Sequence, residues 1–286
     1  MTKDLQETLR LLSEAEDSAE EKNMRHINFL RYLVTNPNNF SYWFPTIRHL
    51  RADGIGIPTS IVIDVPEPVY RCFFLEREND KKEINEWVAK ALMPVITEVF
   101  SGQDVFMKNG CFSNKFSFDK SCHIHNGEDA SSVADKLLSI MYDALCMETY
   151  GYLEVVLREW IKPVDDFGSI YGGMPLRPEI RLFYDFTEKK VLYFVNYWDW
   201  DYCHDRICEK PGDKAVYEAN YQKLNDWLLA LYEKHRPLIE KALATVELKG
   251  MWSVDFILQE DKPILIDMAL ANRSAYWNPQ KAGLDG

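Results

Sequence analysis

Two aspartates near the C-terminal end of the chain have the residue type and spacing of a metal site. Asp255 lies inside the apolar segment GMWSVDFIL, and Asp267 follows Ile264–Ile266 after the turn QEDKP. A hairpin of this kind places both carboxylates near one level and could put them on one face. Facing carboxylates repel unless they share a cation, and their hard oxygens suit Mg²⁺ with water and phosphate oxygens. The alternative is that both aspartates face solvent and pair with nearby basic residues.

Two other segments place a basic and an acidic residue on predicted strands. Arg158 and Glu159 precede Trp160 in YLEVVLREWI, and Glu179 and Arg181 lie in EIRLFYDF. Taken alone, these pairs are typical of a cross-strand ladder of ion pairs, which contributes little to stability when exposed.

Lys108 ends the predicted strand segment VFMK and precedes Asn-Gly and a polar loop that contains Lys115. A lysine in that place suits a phosphate contact. The alternative is a solvated lysine, the common state of this residue. Neither a Walker-A sequence nor G-x-G-x-x-G is present, so the sequence offers no phosphate-binding loop of those two kinds.

Two short segments combine cysteine with histidine, Cys122-His123-x-His125 and Cys203-His204-x₃-Cys208. Both could ligate a soft metal, but neither has the spacing of a zinc finger. We therefore favour ordinary thiols and surface histidines.

The segment YWDWDY at 197–202 concentrates aromatic and acidic side chains. It could line a substrate cleft by stacking and hydrogen bonding. The interpretation that we favour is the end of a hairpin that packs its aromatic rings.

The elements that must position these residues alternate between helical and strand patterns. Apolar residues recur at helical spacing in 81–100 and 130–147, and 1–35 is also predicted to be helical. A long helix is predicted over about 213–246, with an interruption at Pro237. The segments that predict strands are 57–65, 103–110, 152–161, 179–186, 191–198, 250–258 and 264–270. The predicted class is α+β with largely antiparallel strand pairs and interlocking domains.

Composition excludes several classes of protein. The chain has 286 residues, 47% of them hydrophobic, and a formal net charge of −12. That charge disfavours nucleic-acid partners, because it repels phosphate backbones. We expect no membrane partner, since the longest apolar runs are far short of about 18 residues. The charged N-terminus and six cysteines predict free thiols in the cytoplasm.

Taken in order, these segments resemble the ATP-grasp superfamily, in which two α+β subdomains grip ATP between them. The similarity spans roughly residues 43–277. It is strongest to a divergent branch that contains the eukaryotic cell-division-cycle protein that assembles translation initiation factor two, together with bacterial and phage relatives. The segments that carry the resemblance are IRHLRADGIGIPTSIVI, VFMKNGCFSNKFSF, EVVLREWI, PEIRLFYDF and WSVDFILQEDKPILIDM.

The resemblance implies how the chain would hold the phosphates of ATP. Lys108 would contact the α- and β-phosphates, and Lys115, or less readily Lys120, would close over the triphosphate. Arg181 would point at the γ-phosphate or at the acyl group. Lys108 and Arg181 would therefore be the catalytic cations, because phosphoryl transfer depends on positive charge around the transferring group.

The resemblance also implies where the remaining parts of Mg·ATP would lie. Glu179 would take the ribose hydroxyls, and Asp255 and Asp267 would bind Mg²⁺. In the family the hairpin ends Glu-x-Asn, whereas here Ala269 stands in the Asn position, with Asn272 and Arg273 shortly after it. The hinge residues that would line the adenine pocket are Arg158, Glu159, Trp160 and Ile161.

The expected organisation is a helical extension over 1–40 and an ATP-grasp domain over 41–286, with subdomains of about 41–150 and 151–286. The expected function is that of a ligase that uses Mg·ATP to activate a carboxylate as an acyl phosphate for an amine or thiol. A peptide or protein is one substrate that the resemblance allows. The alternative is an ATP-binding assembly factor without turnover.

Overall fold

Two antiparallel sheets of four strands each form the framework of the chain in a computed structural model that describes residues 19–74, 77, 79–207 and 211–284. The predicted α+β class with antiparallel sheets is thereby confirmed. The predicted helix over 1–35 is found from Ala19 to Thr35, and residues 1–18 lie outside the described part.

The first sheet has the strand order β1-β4-β2-β3. Helices cover one of its faces and bury apolar side chains such as Val88, Met107 and Leu137 in a first core. The strands of this sheet are β1 Ser60–Asp64, β2 Val105–Asn109, β3 His123–Ile124 and β4 Glu154–Glu159. Its helices are α3 Glu67–Cys72, α4 Asp80–Trp87, a π-helical turn Val88–Leu92, α5 Met93–Val99 and α6 Ala130–Cys146, with α1 Ala19–Thr35 and α2 Phe40–Ile47 before β1.

The second sheet has the order β8-β7-β9-β10, and the short pair of strands β5 Ser169–Ile170 and β6 Met174–Pro175 precedes it in the chain. Alternate residues of its strands, such as Ile180, Leu182 and Tyr184, are buried in a second core, as expected for side chains that follow a period of two. Its strands are β7 Glu179–Asp185, β8 Lys190–Asn196, β9 Met251–Leu258 and β10 Pro263–Leu270. Both predicted hairpins, β7–β8 and β9–β10, are present.

A single long helix, α8 Pro211–Leu243, packs on both cores, after the short α7 Trp200–Ile207. The predicted interruption at Pro237 is wrong, because the helix continues through it. A proline inside a helix removes one hydrogen bond and strains the preceding turn. Burial of Tyr232, Ile239 and Leu243 around the proline outweighs that cost.

The two sheets are joined where the segment before β1 reaches the edge strand β10. Gly56 forms a parallel bridge with Ile264, donates its N–H to the carbonyl of Pro263 and accepts the N–H of Leu265. A Cβ atom at Gly56 would lie 2.9 Å from Cγ1 of Ile264, so only glycine allows this approach. The contact holds β10 beside the first sheet and thereby sets the cleft between the sheets.

The predicted boundary near residue 150 does not separate the sheets. Strand β4 pairs with β1 and β2, so the first sheet extends at least to Glu159. Conversely, Phe40 and Trp43 of α2 are buried in the core of the second sheet. The subdomains interlock, because a strand that follows the expected boundary completes the first sheet and a helix from the start of the chain completes the second core.

Candidate functional site

An ion pair between Lys108 and Asp267 joins the two sheets. The Lys108 ammonium, at the end of β2, lies 2.9 and 2.8 Å from the two carboxylate oxygens of Asp267 on β10. The lysine side chain is 2% exposed, while that of the aspartate is 31% exposed. A cation and a carboxylate predicted to serve the same ligand therefore meet in the cleft.

Asp255 and Asp267 lie directly across from each other on β9 and β10. The prediction that the two carboxylates share one level of the hairpin is confirmed. The next strand, β7, places Arg181 directly across from Asp255, and its guanidinium donates two hydrogen bonds of 2.8 and 2.7 Å to that carboxylate. Arg181 also donates to the carbonyl of Ala275. A row of basic and acidic side chains thus crosses three adjacent strands.

Glu179 and Lys115 form the third ion pair of the site, with 3.1 Å between the ammonium and Oε1. The ammonium also lies 3.4 Å from the hydroxyl of Tyr197 and 4.4 Å from the centre of its ring. The second oxygen of Glu179, Oε2, is buried and has no hydrogen-bond partner among the described residues. A buried carboxylate oxygen left without a donor is costly, so this atom points to a ligand that supplies one.

The residues of the predicted hinge lie at the end of β4. The buried guanidinium of Arg158 packs 4.5 Å from the ring of Phe106 and donates to the carbonyl of Ile266 on β10. Glu159 accepts the backbone N–H of Thr59 at 3.0 Å, which holds β1 against β4. The ladder of ion pairs considered for Arg158 and Glu159 is therefore absent, because both side chains bind backbone groups.

Trp160 and Ile161 follow at the end of β4. The indole of Trp160 packs against Phe118 and against the guanidinium of Arg177. Ile161 packs against the apolar residues of the β9–β10 hairpin, and its carbonyl accepts a 2.9 Å hydrogen bond from Arg177. A flat aromatic and apolar surface thus borders the charged row, as an adenine base would require.

Five buried or half-buried cations lie in this region, Lys108, Lys115, Arg158, Arg177 and Arg181. The carboxylates beside them are those of Glu154, Glu159, Glu179, Asp255 and Asp267. Charge interactions are stronger in such a partly dry site than in water, so an anionic ligand that reaches these cations is held strongly.

Burial and charge oppose each other in the pKa values of the site. Burial raises the pKa of the Asp267 carboxyl, but Lys108 outweighs it, so this pKa lies below its usual range. Burial keeps the pKa of Asp255 above its usual range despite Arg181. Burial lowers the pKa of the Arg177 guanidinium to about 10, which leaves it charged at neutral pH.

The residue that departs from the family's hairpin pattern, Ala269, lies two residues beyond Asp267 and directly across from Ser253. Asn272 and Arg273 lie in a 3₁₀ turn after β10 and are exposed, so neither side chain takes the place of the missing Asn. Lys120 is also exposed, at the end of the 3₁₀ segment Lys115–Lys120, whereas Lys115 points into the site.

Arg177 was not among the sequence candidates, whereas Tyr197 belongs to the aromatic segment 197–202 that could line a substrate cleft. Arg177 is buried and lies only two residues before Glu179, and no sequence signal set it apart from a solvated arginine. Tyr197 lies between the cations of Lys115 and Arg181, at 4.4 and 5.0 Å from its ring centre. The aromatic segment that contains Tyr197 was a signal for this contact. Part of it does begin a helix, at Trp200, rather than packing as a hairpin end.

Cys72, Cys111, Cys122 and Cys146 are free thiols, and Cys208 lies outside the described residues. The expectation of surface histidines is wrong for His123, which is 8% exposed and lies between Asp104 and Asp119. No helix of the described residues is long and apolar enough to cross a membrane.

No protein-family model matches the sequence, and no curated protein matches it. Among solved structures, the chain is similar in fold to Cdc123. The C-terminally truncated Cdc123 of Schizosaccharomyces pombe is 19% identical, with a TM-score of 0.56, over 85% of this chain and 89% of that one. A second structure of Cdc123 from the same organism is 17% identical, with a TM-score of 0.54, over 88% and 92%. At identities below 20%, this similarity shows a shared fold.

A more distant similarity extends to D-alanine–D-alanine ligase from Bacillus anthracis, solved in complex with ATP. It is 12% identical to this chain and has a TM-score of 0.38, over 86% of this chain and 59% of that one.

Proposed function

We propose that the chain binds Mg·ATP between its two sheets and uses it to activate a carboxylate for transfer to an amine or a thiol. The observation that carries this proposal is the set of three ion pairs in the cleft, Lys108–Asp267, Lys115–Glu179 and Arg181–Asp255. Each pair sets a cation suited to phosphate against a carboxylate suited to a metal or a sugar hydroxyl.

The residues present fit both parts of the ligand. ATP brings about four negative charges, and Mg²⁺ returns two positive ones. Asp255 and Asp267 offer hard oxygens from adjacent strands, which suits Mg²⁺. The unpartnered Oε2 of Glu179 suits the donor hydroxyl of a ribose. Mg²⁺ would supply neutralisation of charge on the transferred phosphoryl group.

Binding would exchange partners within the site. Phosphate oxygens would replace Asp267 on Lys108, which frees that carboxylate for the metal. Because the cation and the acid both gain a new partner of opposite charge, the exchange avoids leaving a buried charge unpaired. Asp267 would thus partner Lys108 before the ligand binds and would bind the metal afterwards.

The proposed reaction balances in two steps. A substrate carboxylate oxygen attacks the γ-phosphorus, the bond from that phosphorus to the bridging oxygen breaks, and ADP leaves with the electron pair. An amine or thiol then attacks the acyl carbon, loses its proton and expels inorganic phosphate. Lys108 and Arg181 would stabilise charge on the phosphoryl group in the first step.

A second candidate function is an ATP-binding assembly factor without turnover. Ala269 favours it, because the side chain that the family places there as a metal ligand is reduced to a methyl group and neither Asn272 nor Arg273 replaces it. A site with one metal ligand fewer can still hold nucleotide, since the phosphate cations remain.

Calorimetric titration with ATP, with and without Mg²⁺, tests both candidates. We expect Mg²⁺-dependent binding in the parent, a loss of affinity of at least about tenfold in Lys108→Met, and parental affinity in Lys262→Met, which alters an exposed lysine of the hairpin turn. Absence of binding in the parent contradicts both functions. ADP release that requires both a carboxylic acid and an amine or thiol supports the ligase, and binding without ADP release supports the assembly factor.

A further inference from the structure

Two histidines and two aspartates form a second polar cluster beside Trp160. Nε2 of His123 lies 2.9 Å from Oδ2 of Asp104, and Nδ1 of His125 lies 3.8 Å from the same oxygen. These three ligand atoms all fall within 4.8 Å of one another. The nucleotide and metal roles proposed above use none of these residues.

The edge of the first sheet builds this arrangement. His123 begins β3, and His125 follows two residues later, so both imidazoles lie on the same face, with ring centres 4.2 Å apart. Asp104 directly precedes β2, and the pairing of Val105 with Ile124 places it across from His125. Its other oxygen, Oδ1, accepts the backbone N–H of Asn126 at 2.9 Å, which fixes the direction of Oδ2.

Asp119 holds the outer nitrogen of the buried histidine. Its Oδ1 lies 2.9 Å from Nδ1 of His123, opposite the nitrogen that faces Asp104. A histidine that ligates a metal characteristically donates its second N–H to a carboxylate, which fixes the tautomer and the ring orientation. The cluster therefore contains the ligands together with the hydrogen bond that supports one of them.

We propose that Asp104, His123 and His125 bind a divalent transition-metal ion, with Asp119 orienting His123. Metal–ligand bonds of about 2.0–2.2 Å in tetrahedral geometry place neighbouring ligand atoms about 3.3 to 3.6 Å apart. The separations of 2.9 and 3.8 Å lie on either side of that range. Two imidazoles and one carboxylate suit Zn²⁺, Fe²⁺ or Co²⁺ better than Mg²⁺ and leave coordination positions open.

The ion would neutralise a site that otherwise concentrates two carboxylates beside two imidazoles. It would also fix the ring of His123, which packs 4.9 Å from Trp160 at an interplanar angle of 34°. The proposed metal site therefore adjoins the aromatic surface proposed for adenine. The proposal itself is independent of nucleotide binding, because its test contains no nucleotide.

Titration of the purified full chain with Zn²⁺, and with Co²⁺ followed by visible absorption, tests the site. We expect one tightly bound ion per chain and a Co²⁺ spectrum without the intense near-ultraviolet band of a cobalt–thiolate bond. His125→Ala should weaken binding by at least tenfold while keeping the parental circular dichroism, since this side chain is exposed. Asp119→Asn should weaken it about 10- to 100-fold.

The matched control is His49→Ala. It removes an exposed histidine that does not belong to the cluster, so it should leave the Zn²⁺ affinity unchanged. Parental Zn²⁺ affinity in His125→Ala would overturn the assignment. A thiolate band would also overturn it, because it would place the metal on the free cysteines. Absence of Zn²⁺ binding by the parent would overturn it as well.

Discussion

The ammonium of Lys108 and the carboxylate of Asp267, 159 residues apart in the chain, form an ion pair that joins the two sheets. The two partners differ in environment, because Lys108 is buried and Asp267 is about one-third exposed. Because of this difference in burial, we expect substitutions of the two residues to change the free energy of unfolding by unequal amounts.

Asp267→Asn should destabilise the fold more than Lys108→Met. The first change leaves a buried ammonium without its partner, and breaking a buried pair costs about 3–5 kcal/mol. The second leaves a carboxylate that water can reach, so we expect a cost below about 2 kcal/mol. Urea unfolding of both variants and of the double variant measures this. Equal costs for the two single variants would contradict the asymmetry.

Asp255→Asn should destabilise the fold about as strongly as Asp267→Asn. It leaves the largely buried guanidinium of Arg181 without its charge partner and removes at least one of the two hydrogen bonds to that carboxylate. We expect a loss of about 3–5 kcal/mol in the free energy of unfolding. The nucleotide affinity of this variant is informative only at temperatures where circular dichroism shows it folded. A variant that melts like the parent would show that the pair adds nothing to stability.

Lys115→Met should weaken Mg·ATP binding, while Lys120→Met should not. Lys115 points into the cleft toward Glu179 and Tyr197, whereas Lys120 is exposed at the other end of the same 3₁₀ segment. A charge-assisted contact with phosphate corresponds to a loss of about tenfold or more in affinity. Calorimetry on both variants decides between these lysines, and a larger loss in Lys120→Met would reverse the assignment.

Glu179 should make the site sensitive to the sugar of the nucleotide. A hydrogen bond to a charged group contributes about 1.5–3 kcal/mol, so 2′-deoxy-ATP should bind at least about tenfold more weakly than ATP. In Glu179→Gln this preference should shrink, because the acceptor is then neutral. The measurement is a pair of titrations for each protein. An unchanged preference in the variant would remove Glu179 from the ribose site.

Ala269→Asn should raise the Mg²⁺ dependence of nucleotide binding. The residue lies two positions beyond Asp267 on the same strand, so an amide oxygen there would project from the same face as that carboxylate. A tighter requirement for Mg²⁺, with little change in melting temperature, would show that the alanine removes a metal ligand. Unchanged Mg²⁺ dependence would show that the position lies too far from the ion.

Protonation of the Glu128 carboxylate should lower the stability of the fold at low pH. Its burial opposes ionisation, but hydrogen bonds from Lys136, Ser132 and the His125 N–H hold its pKa below the ordinary 4.5. A lowered folded-state pKa contributes stability above the unfolded-state pKa, and that contribution disappears as pH falls through the folded value. Glu128→Gln should therefore be less stable than the parent at pH 7, and the difference should shrink as the pH falls below the ordinary value of 4.5. A difference that stays constant as the pH falls would contradict this origin.

Local patterns were sufficient for much of this molecule. The pairing of Asp255 with Asp267 follows from one hairpin turn, and the helices around Val88 and Leu137 follow from apolar residues at helical spacing. These features depend on neighbours in sequence, so periodicity and turn position determine them. The resemblance of the segments also indicated the fold that the two sheets confirm.

What the sequence determined by itself is thus the set of elements and the residue types within them. Only the tertiary structure decided which charges meet, because no local rule brings Lys108 to Asp267, Arg177 beneath Trp160, or Asp104 to His123. Each contact joins strands or loops distant in the chain. Its geometry depends on how two cores pack and on a glycine that lets two sheets approach, which are properties of the whole fold rather than of any segment.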